Sequence, residues 1–301
     1  MVFMTRGRPS KLDTMKKNKE QISNVLKNSY AEVFFRAHEI IDILDELKEK
    51  GILLKTTSLE EFLLFLTNEN IFKEFNIKFP RKVYHLYTFQ DKKESDHNLL
   101  KIVSHFKSDG YFSHYTAAFL HGLTENIVKT IYFSEETSTI NKSNASNLLQ
   151  ENIDLAFSKP ARETKNFSHF EGQKIVLLEN VFRSEGIIQI EGLNVSNVEK
   201  TLLDITVRPT YSGGVHEVLN IYENARERAS VNRLRAYLKK AGYIYPYHQA
   251  IGFYLERAGY AENVLRLMDN FPQKYDFYLT HNMKNKNYSE RWKLYYPASL
   301  D

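Results

Sequence analysis

The chain contains no cysteine, which removes disulfide frameworks and thiolate zinc sites and fits a cytoplasmic protein. No apolar run approaches the roughly eighteen residues that a membrane helix needs. The opening segment MVFMTRGRPSKLD has positive charge but no apolar stretch behind it, so a secretory signal is not expected. There is no G-x-x-x-x-G-K-[ST] phosphate loop, no HExxH pair and no internal repeat. Gly213-Gly214 is followed by no Asp-x-Asp pair of the kind that holds two metal ions, and Glu171 and Lys174 have no partner carboxylate at nuclease spacing. These absences argue against an enzyme, a resident cofactor and a metal site. What is present is a chain of 301 residues, 42% hydrophobic and 26% charged, sufficient for a packed core in two domains or one large one.

Charge is small in total and uneven in placement. The formal net charge is +4. Within residues 1–30, Arg6, Arg8, Lys11, Lys16, Lys17, Lys19 and Lys27 face only Asp13 and Glu20, a local excess of about +5. The remainder is therefore close to neutral, and the basic character belongs to one end, as in arms that bind nucleic acid. In TRGRPSK, Pro9 favours extended backbone and Gly7 has no side chain to meet a groove wall. Arg6 and Arg8 could then enter a narrow A·T-rich minor groove. Two readings stay open: a short minor-groove hook, or a basic tail for any polyanion.

Periodicity predicts helices over His38–Lys50 and from Ser58, where Glu61 completes a capping box. A helix over 18–28 and a third over Glu69–Phe75 are also expected. Lys78-Phe79-Pro80-Arg81-Lys82 then leads into a strand over Val83–Phe89. Helices followed by a basic turn and a strand suggest a winged helix-turn-helix. The polar stretch 90–97 reads as a linker, and a helix over Asn98–Lys107 as the start of a second domain. Beyond it, strands are expected at Thr130–Phe133, Lys174–Leu178, Ile187–Glu191 and Asp276–Thr280, with 134–147 as an exposed loop. Ser113, a Ser196/Glu199 capping box, Ser230 and Pro246 mark helix starts, and Gly122, Gly242 and Gly259 mark stops. The fold class is α+β: a basic arm over 1–30, a winged helix-turn-helix domain over 31–92, and a larger mixed α/β domain over 98–301.

The expected third helix offers Asn68, Asn70 and Lys73 beside Glu69 and Glu74, a poor set for reading base edges. Lys78, Arg81 and Lys82 suit phosphates better. A further positive surface, for DNA or a protein partner, is expected from Arg226, Arg228, Arg233, Arg235, Lys239 and Lys240, around and on the helix after Ser230. His114 and His121 lie seven residues apart on one expected helix, and His248 beside Glu256 on another. Too few further ligands accompany them for a metal site, and structural roles are the simpler reading. Ten tyrosines from Tyr243 onward fit either an interface or a core.

Four segments, YFSHYTAAFLHGLTE (Tyr111–Glu125), KTIYFS (Lys129–Ser134), VSNVEKTLLDI (Val195–Ile205) and YPYHQAIGFYLERAGY (Tyr245–Tyr260), follow one another as in AbiEi-type antitoxins, which the chain resembles from about His38 to Pro297. The resemblance implies a winged-helix N-terminal domain ahead of an α/β domain, in the antitoxin of a bacterial type IV toxin–antitoxin pair tied to phage defence. It implies operator binding with transcriptional autorepression, and antagonism of a nucleotidyltransferase-like toxin. The RGRP arm and the shortage of basic residues in the expected recognition helix depart from that pattern. Alternatives are an interaction module or stand-alone regulator and, at greater distance, a metal-dependent nuclease or nucleotidyltransferase.

Overall fold

The computed structural model describes residues 10–29, 34–90, 99–136, 148–180 and 185–301. The chain divides into two units after Phe106. The first begins with two short helices, α1 (Lys11–Lys17) and α2 (Lys19–Ser29). Ser10 caps α1 by accepting from the Asp13 backbone N–H at 3.1 Å, and Asp13 returns a capping-box contact. Met15, Ile22 and Leu26 are sealed in the same core as Ile40 and Leu44 of α3 (Glu39–Glu49) and Phe62, Phe65 and Leu66 of α4 (Leu59–Asn68). From Ser10 onward the basic segment is therefore folded, which corrects the reading of 1–30 as an arm. The three apolar residues, seven and four positions apart, make a helical stripe that outweighs the surrounding charge.

Ser58 and Glu61 form the expected capping box on α4. The expected third helix over Glu69–Phe75 is not formed. Asn70 turns the chain at φ +55°, and Phe72–Lys78 is strand β2, paired with β3 (Val83–Phe89). Pairing decides this: the full register from Phe72↔Phe89 to Lys78↔Val83 satisfies the backbone and buries Phe72 against Phe89 at 5.0 Å between ring centroids. Strand β1 (Phe34–Arg36) adds to β3, giving the antiparallel order β1-β3-β2. Helix α5 (Leu99–Ser104) belongs to this unit and does not open the second. Just after it, Phe106 stacks on Tyr84 at 4.2 Å, and His105 packs on Phe34 at 6.0 Å. Aromatic contacts thus place the boundary beyond the polar stretch.

The second unit contains a six-stranded mixed sheet made of β4 (Tyr111–Phe112), β5 (Thr130–Glu136), β6 (Phe167–Phe170), β7 (Gln173–Asn180), β8 (Ile187–Ile190) and β9 (Leu193–Ser196). Its order is β6-β7-β5-β4-β9-β8, with β5–β7 and β4–β9 parallel. The helices are α6 (His114–Leu120), α7 (Gln150–Phe157), α8 (Val198–Val207), α9 (Val215–Ala225), α10 (Val231–Ala241), α11 (Tyr247–Arg257) and α12 (Glu262–Asp269). Helix α8 is central, with every residue from Glu199 to Thr206 buried. Its cap is Asn197, which accepts from the Lys200 backbone N–H at 2.9 Å, one residue beyond the expected Ser196. Ser196 instead ends β9, and the Glu199 carboxylate accepts from the Ser230 backbone N–H at 2.8 Å. The expected strand over Asp276–Thr280 shortens to β10 (Phe277–Tyr278), which pairs with β12 (Leu294–Pro297), and β11 (Lys286–Ser289) pairs with the other edge of β12. Gly252 on α11 lies directly under Trp292, where any Cβ would overlap the indole ring. The architecture is mixed α/β with several sheets.

Candidate nucleic-acid interface

The hairpin β2–β3 closes through a two-residue loop. Phe79 N–H donates to the Lys82 carbonyl at 2.8 Å, and Pro80 and Arg81 form the tip. At its base, Phe72, Tyr87 and Phe89 belong to the helical core. Nearer the tip the same face becomes polar, with Asn76, Lys78, Val83 and His85 exposed. The opposite face stays apolar: Phe79 and Tyr84 pack edge to face at 5.6 Å, and both contact Phe106. A rigid aromatic backing therefore holds Lys78, Arg81 and Lys82 at an exposed turn. The Lys82 ammonium lies 4.3 Å from the Tyr84 ring centroid and the Lys73 ammonium 5.0 Å from that of Phe75, so both stems are steered by aromatic contact.

The residues of the expected arm divide. Arg6, Gly7 and Arg8 lie outside the described residues. Lys16 and Lys17 are exposed on α1. Lys11 is paired with Glu61 at 3.0 Å and Lys19 with Glu69 at 2.8 Å, so two of the counted charges are turned toward the end carboxylates of α4. The Ser58 backbone N–H and the Lys11 ammonium hold the Glu61 carboxyl down at about 2. Helix α4 itself presents Glu60, Leu64 and Asn68 to solvent, with Leu64 59% exposed. That face is acidic and apolar. Of the residues expected to meet phosphates, Lys16, Lys17, Lys73, Lys78, Arg81 and Lys82 are exposed, and none of them lies on α4.

The basic residues around α10 are largely tied to protein. Arg228 donates to the His121 carbonyl at 2.6 Å, Arg233 lies 3.3 Å from Glu199, and Lys240 pairs with Glu185. Arg226 pairs with its neighbour Glu227 at 3.2 Å. Arg235 and Lys239 both lie over the Phe271 ring at 5.7 Å. As a surface for DNA, this set offers little uncommitted charge.

The histidines sit in separate environments. His114, at φ +49° and buried, shares a 2.9 Å hydrogen bond with Ser113, whose hydroxyl is 2.7 Å from that of Ser134. Burial, then the nearby Arg208 and Lys200 charges, lower its pKa to about 3. His121 Nε2 is 2.7 Å from the Ser196 carbonyl. Among the described residues, no three His, Asp or Glu side chains converge as metal ligands. Of the C-terminal tyrosines, Tyr254, Tyr260 and Tyr296 are buried and the others half-buried; Tyr275 donates to the Leu148 carbonyl at 2.7 Å, Tyr278 to Asp154 at 3.0 Å and Tyr288 to Asp276 at 2.6 Å.

Sequence reasoning passed over two features of the second unit. Lys200 and Asp204, 1% and 4% exposed, form a buried pair at 3.9 Å one turn apart on α8. The only advance sign of it was the charged pair inside the apolar run VEKTLLDI. The second feature is a concave basic site near Lys159, Arg162 and Arg208. Two prolines beside basic residues, in Lys159-Pro160-Ala161-Arg162 and Arg208-Pro209, were its only local signal.

No protein-family model matches the chain, and no curated protein matches it. Among solved structures it is similar to the crystal structure of the RV2827C protein from Mycobacterium tuberculosis, with a TM-score of 0.58 over 93% of this chain and 91% of that one. Identity is 10%, so the likeness concerns the fold. Among the described residues, no helix is long and apolar enough to cross a membrane.

Proposed function

We propose that this chain is a DNA-binding antitoxin that represses its own operon and counters a nucleotidyltransferase-like toxin, without enzymatic activity or cofactor of its own. One observation carries the reading: from α2 the first unit runs helix–strand–helix–helix–strand–strand, the order of a winged helix-turn-helix, with a basic, exposed turn where the wing lies. In this reading α3 and α4 are the helix-turn-helix, and Lys78, Arg81 and Lys82 grip phosphates from the wing. The expectation from the sequence that Arg6, Gly7 and Arg8 contact DNA is part of the same proposal. The toxin-facing role rests on the resemblance of the second unit's segments to AbiEi-type antitoxins.

Fluorescence anisotropy with the DNA upstream of its own gene tests the regulator role. Submicromolar binding at low salt, with a preference over a scrambled duplex of the same length, is expected. Absence of binding at low salt would reject it. A second reading has its own support: the acidic and apolar outward face of α4, with Leu12 and Leu64 exposed beside it, suits a protein partner better than a base edge. Under that reading the first unit is an interaction module, and its binding to DNA would be weak and indifferent to sequence.

A further inference from the structure

Within the second unit a cavity of about 480 Å³ opens between the end of α7, the loop after it, the end of α8 and the segment entering α11. Its wall carries Lys159, Arg162, Arg208 and His281 and no carboxylate. Among the described residues, Lys159, Arg162 and Arg208 make no ion pair. Other cations of this unit do: Arg291 reaches Glu256, Glu262 and Asp269, Arg257 reaches Asp301, and Lys107 reaches Glu135. Three uncompensated positive charges around one concavity focus a positive potential there.

The site is also held in place. The Arg208 backbone N–H closes α8 by donating to the Asp204 carbonyl at 3.0 Å, and its guanidinium lies 5.7 Å from the Tyr211 ring centroid. Tyr211 is buried, and its hydroxyl accepts from the Thr164 backbone N–H at 2.8 Å. One tyrosine therefore fixes both Arg208 and the loop that bears Lys159 and Arg162. His281 stacks on Phe157 at 4.3 Å, and its Nδ1 lies 3.2 Å from the carbonyls of Ala156 and Lys159. Nδ1–H donates there, which leaves Nε2 as the second polar atom of the ring. Tyr245 and Tyr247 add two aromatic walls, with ring planes at 86° to each other. Burial raises the Tyr247 phenol, so it remains a neutral donor.

Exposed cations for phosphate, flat phenols for a ring and a volume within the range of small-molecule sites define one ligand class. We infer that this cavity binds a nucleoside polyphosphate, its phosphates on Lys159, Arg162 and Arg208 and its base against Tyr245 and Tyr247. The site rests on the geometry of the second unit and is independent of DNA binding by the first.

The test is calorimetric titration of the full chain with each of ATP, GTP, CTP and UTP, and separately with inorganic tripolyphosphate. At least one nucleotide is expected to bind at micromolar concentration and at least tenfold more tightly than tripolyphosphate. Arg208→Gln should weaken that nucleotide at least tenfold, and Arg226→Ala, a surface control, should leave it unchanged. If Arg208→Gln is unfolded by circular dichroism, the exposed pair Lys159→Gln and Arg162→Gln carries the same expectation. No binding by any nucleotide below millimolar concentration overturns the inference. Tripolyphosphate binding as tightly as every nucleotide overturns it as well, as does equal binding by the folded variants.

Discussion

In the first unit, the buried polar side chains among the described residues are two threonines, Thr57 and Thr88, and the rest of the interior is aliphatic and aromatic. The second unit buries Glu199, Lys200 and Asp204 on a single helix, along with His114, His121 and His248. The first unit therefore keeps its charge outside, and the hairpin turn and α1 carry the part proposed to meet DNA. The second has charge inside, where each group depends on its partners and is costly to leave alone. Separating the two kinds of charge separates what a substitution should do: inside it should act on stability, outside on binding.

The largest effect is expected from Lys200→Met. It removes the partner that lies 3.9 Å from Asp204 and leaves a carboxylate in a dry site. The stability of the second unit should fall by about 3–5 kcal/mol, read from urea unfolding. A loss below about 1 kcal/mol would mean that the pair is no more demanding than a surface one.

Acid should expose the same contrast with a smaller effect. Burial lowers the pKa of His114 to about 3 and that of His248 to about 4, and it also lowers that of His121. An unfolded histidine takes up its proton near 6.5. Between about pH 6.5 and 3 the unfolded chain thus binds protons that the folded chain does not, so stability declines as pH falls through that window. His114→Asn, which keeps a residue tolerant of positive φ, should flatten the decline in urea midpoint between pH 7 and pH 5. An unchanged slope would remove His114 from the explanation.

Much of the first unit was legible in the sequence. The α4 capping box and strand β3 follow from local pattern, as do Ile40, Leu44 and Leu47 of the α3 stripe, where Ile43 is buried and Ile41 is 40% exposed. The β2 segment misled because Ile71, Phe72 and Phe75 have helical spacing, while the strand that captures them lies across the turn. The basic arm misled in the other direction: a count of lysines hid Met15, Ile22 and Leu26, which anchor α1 and α2. In the second unit β4 has two residues and β9 four, too short for alternation to register. The cavity could not be read from sequence spacing, since Arg162, Arg208, Tyr245 and His281 converge only after folding. The Lys11–Glu61 and Lys19–Glu69 pairs were equally hidden, and they are what move the proposed interface from α1 toward the hairpin.

The smallest expected change in stability and the most direct test of DNA binding come from the same variant. With Lys78, Arg81 and Lys82 all changed to Ala at the exposed turn, stability should stay within about 0.5 kcal/mol of the wild type. DNA affinity should then be measured against salt for both proteins. Each phosphate contact contributes about 0.9 to the slope of log K against log salt, so the triple variant should lose about 2–3 units of slope. An unchanged slope would contradict the hairpin as the phosphate-gripping element.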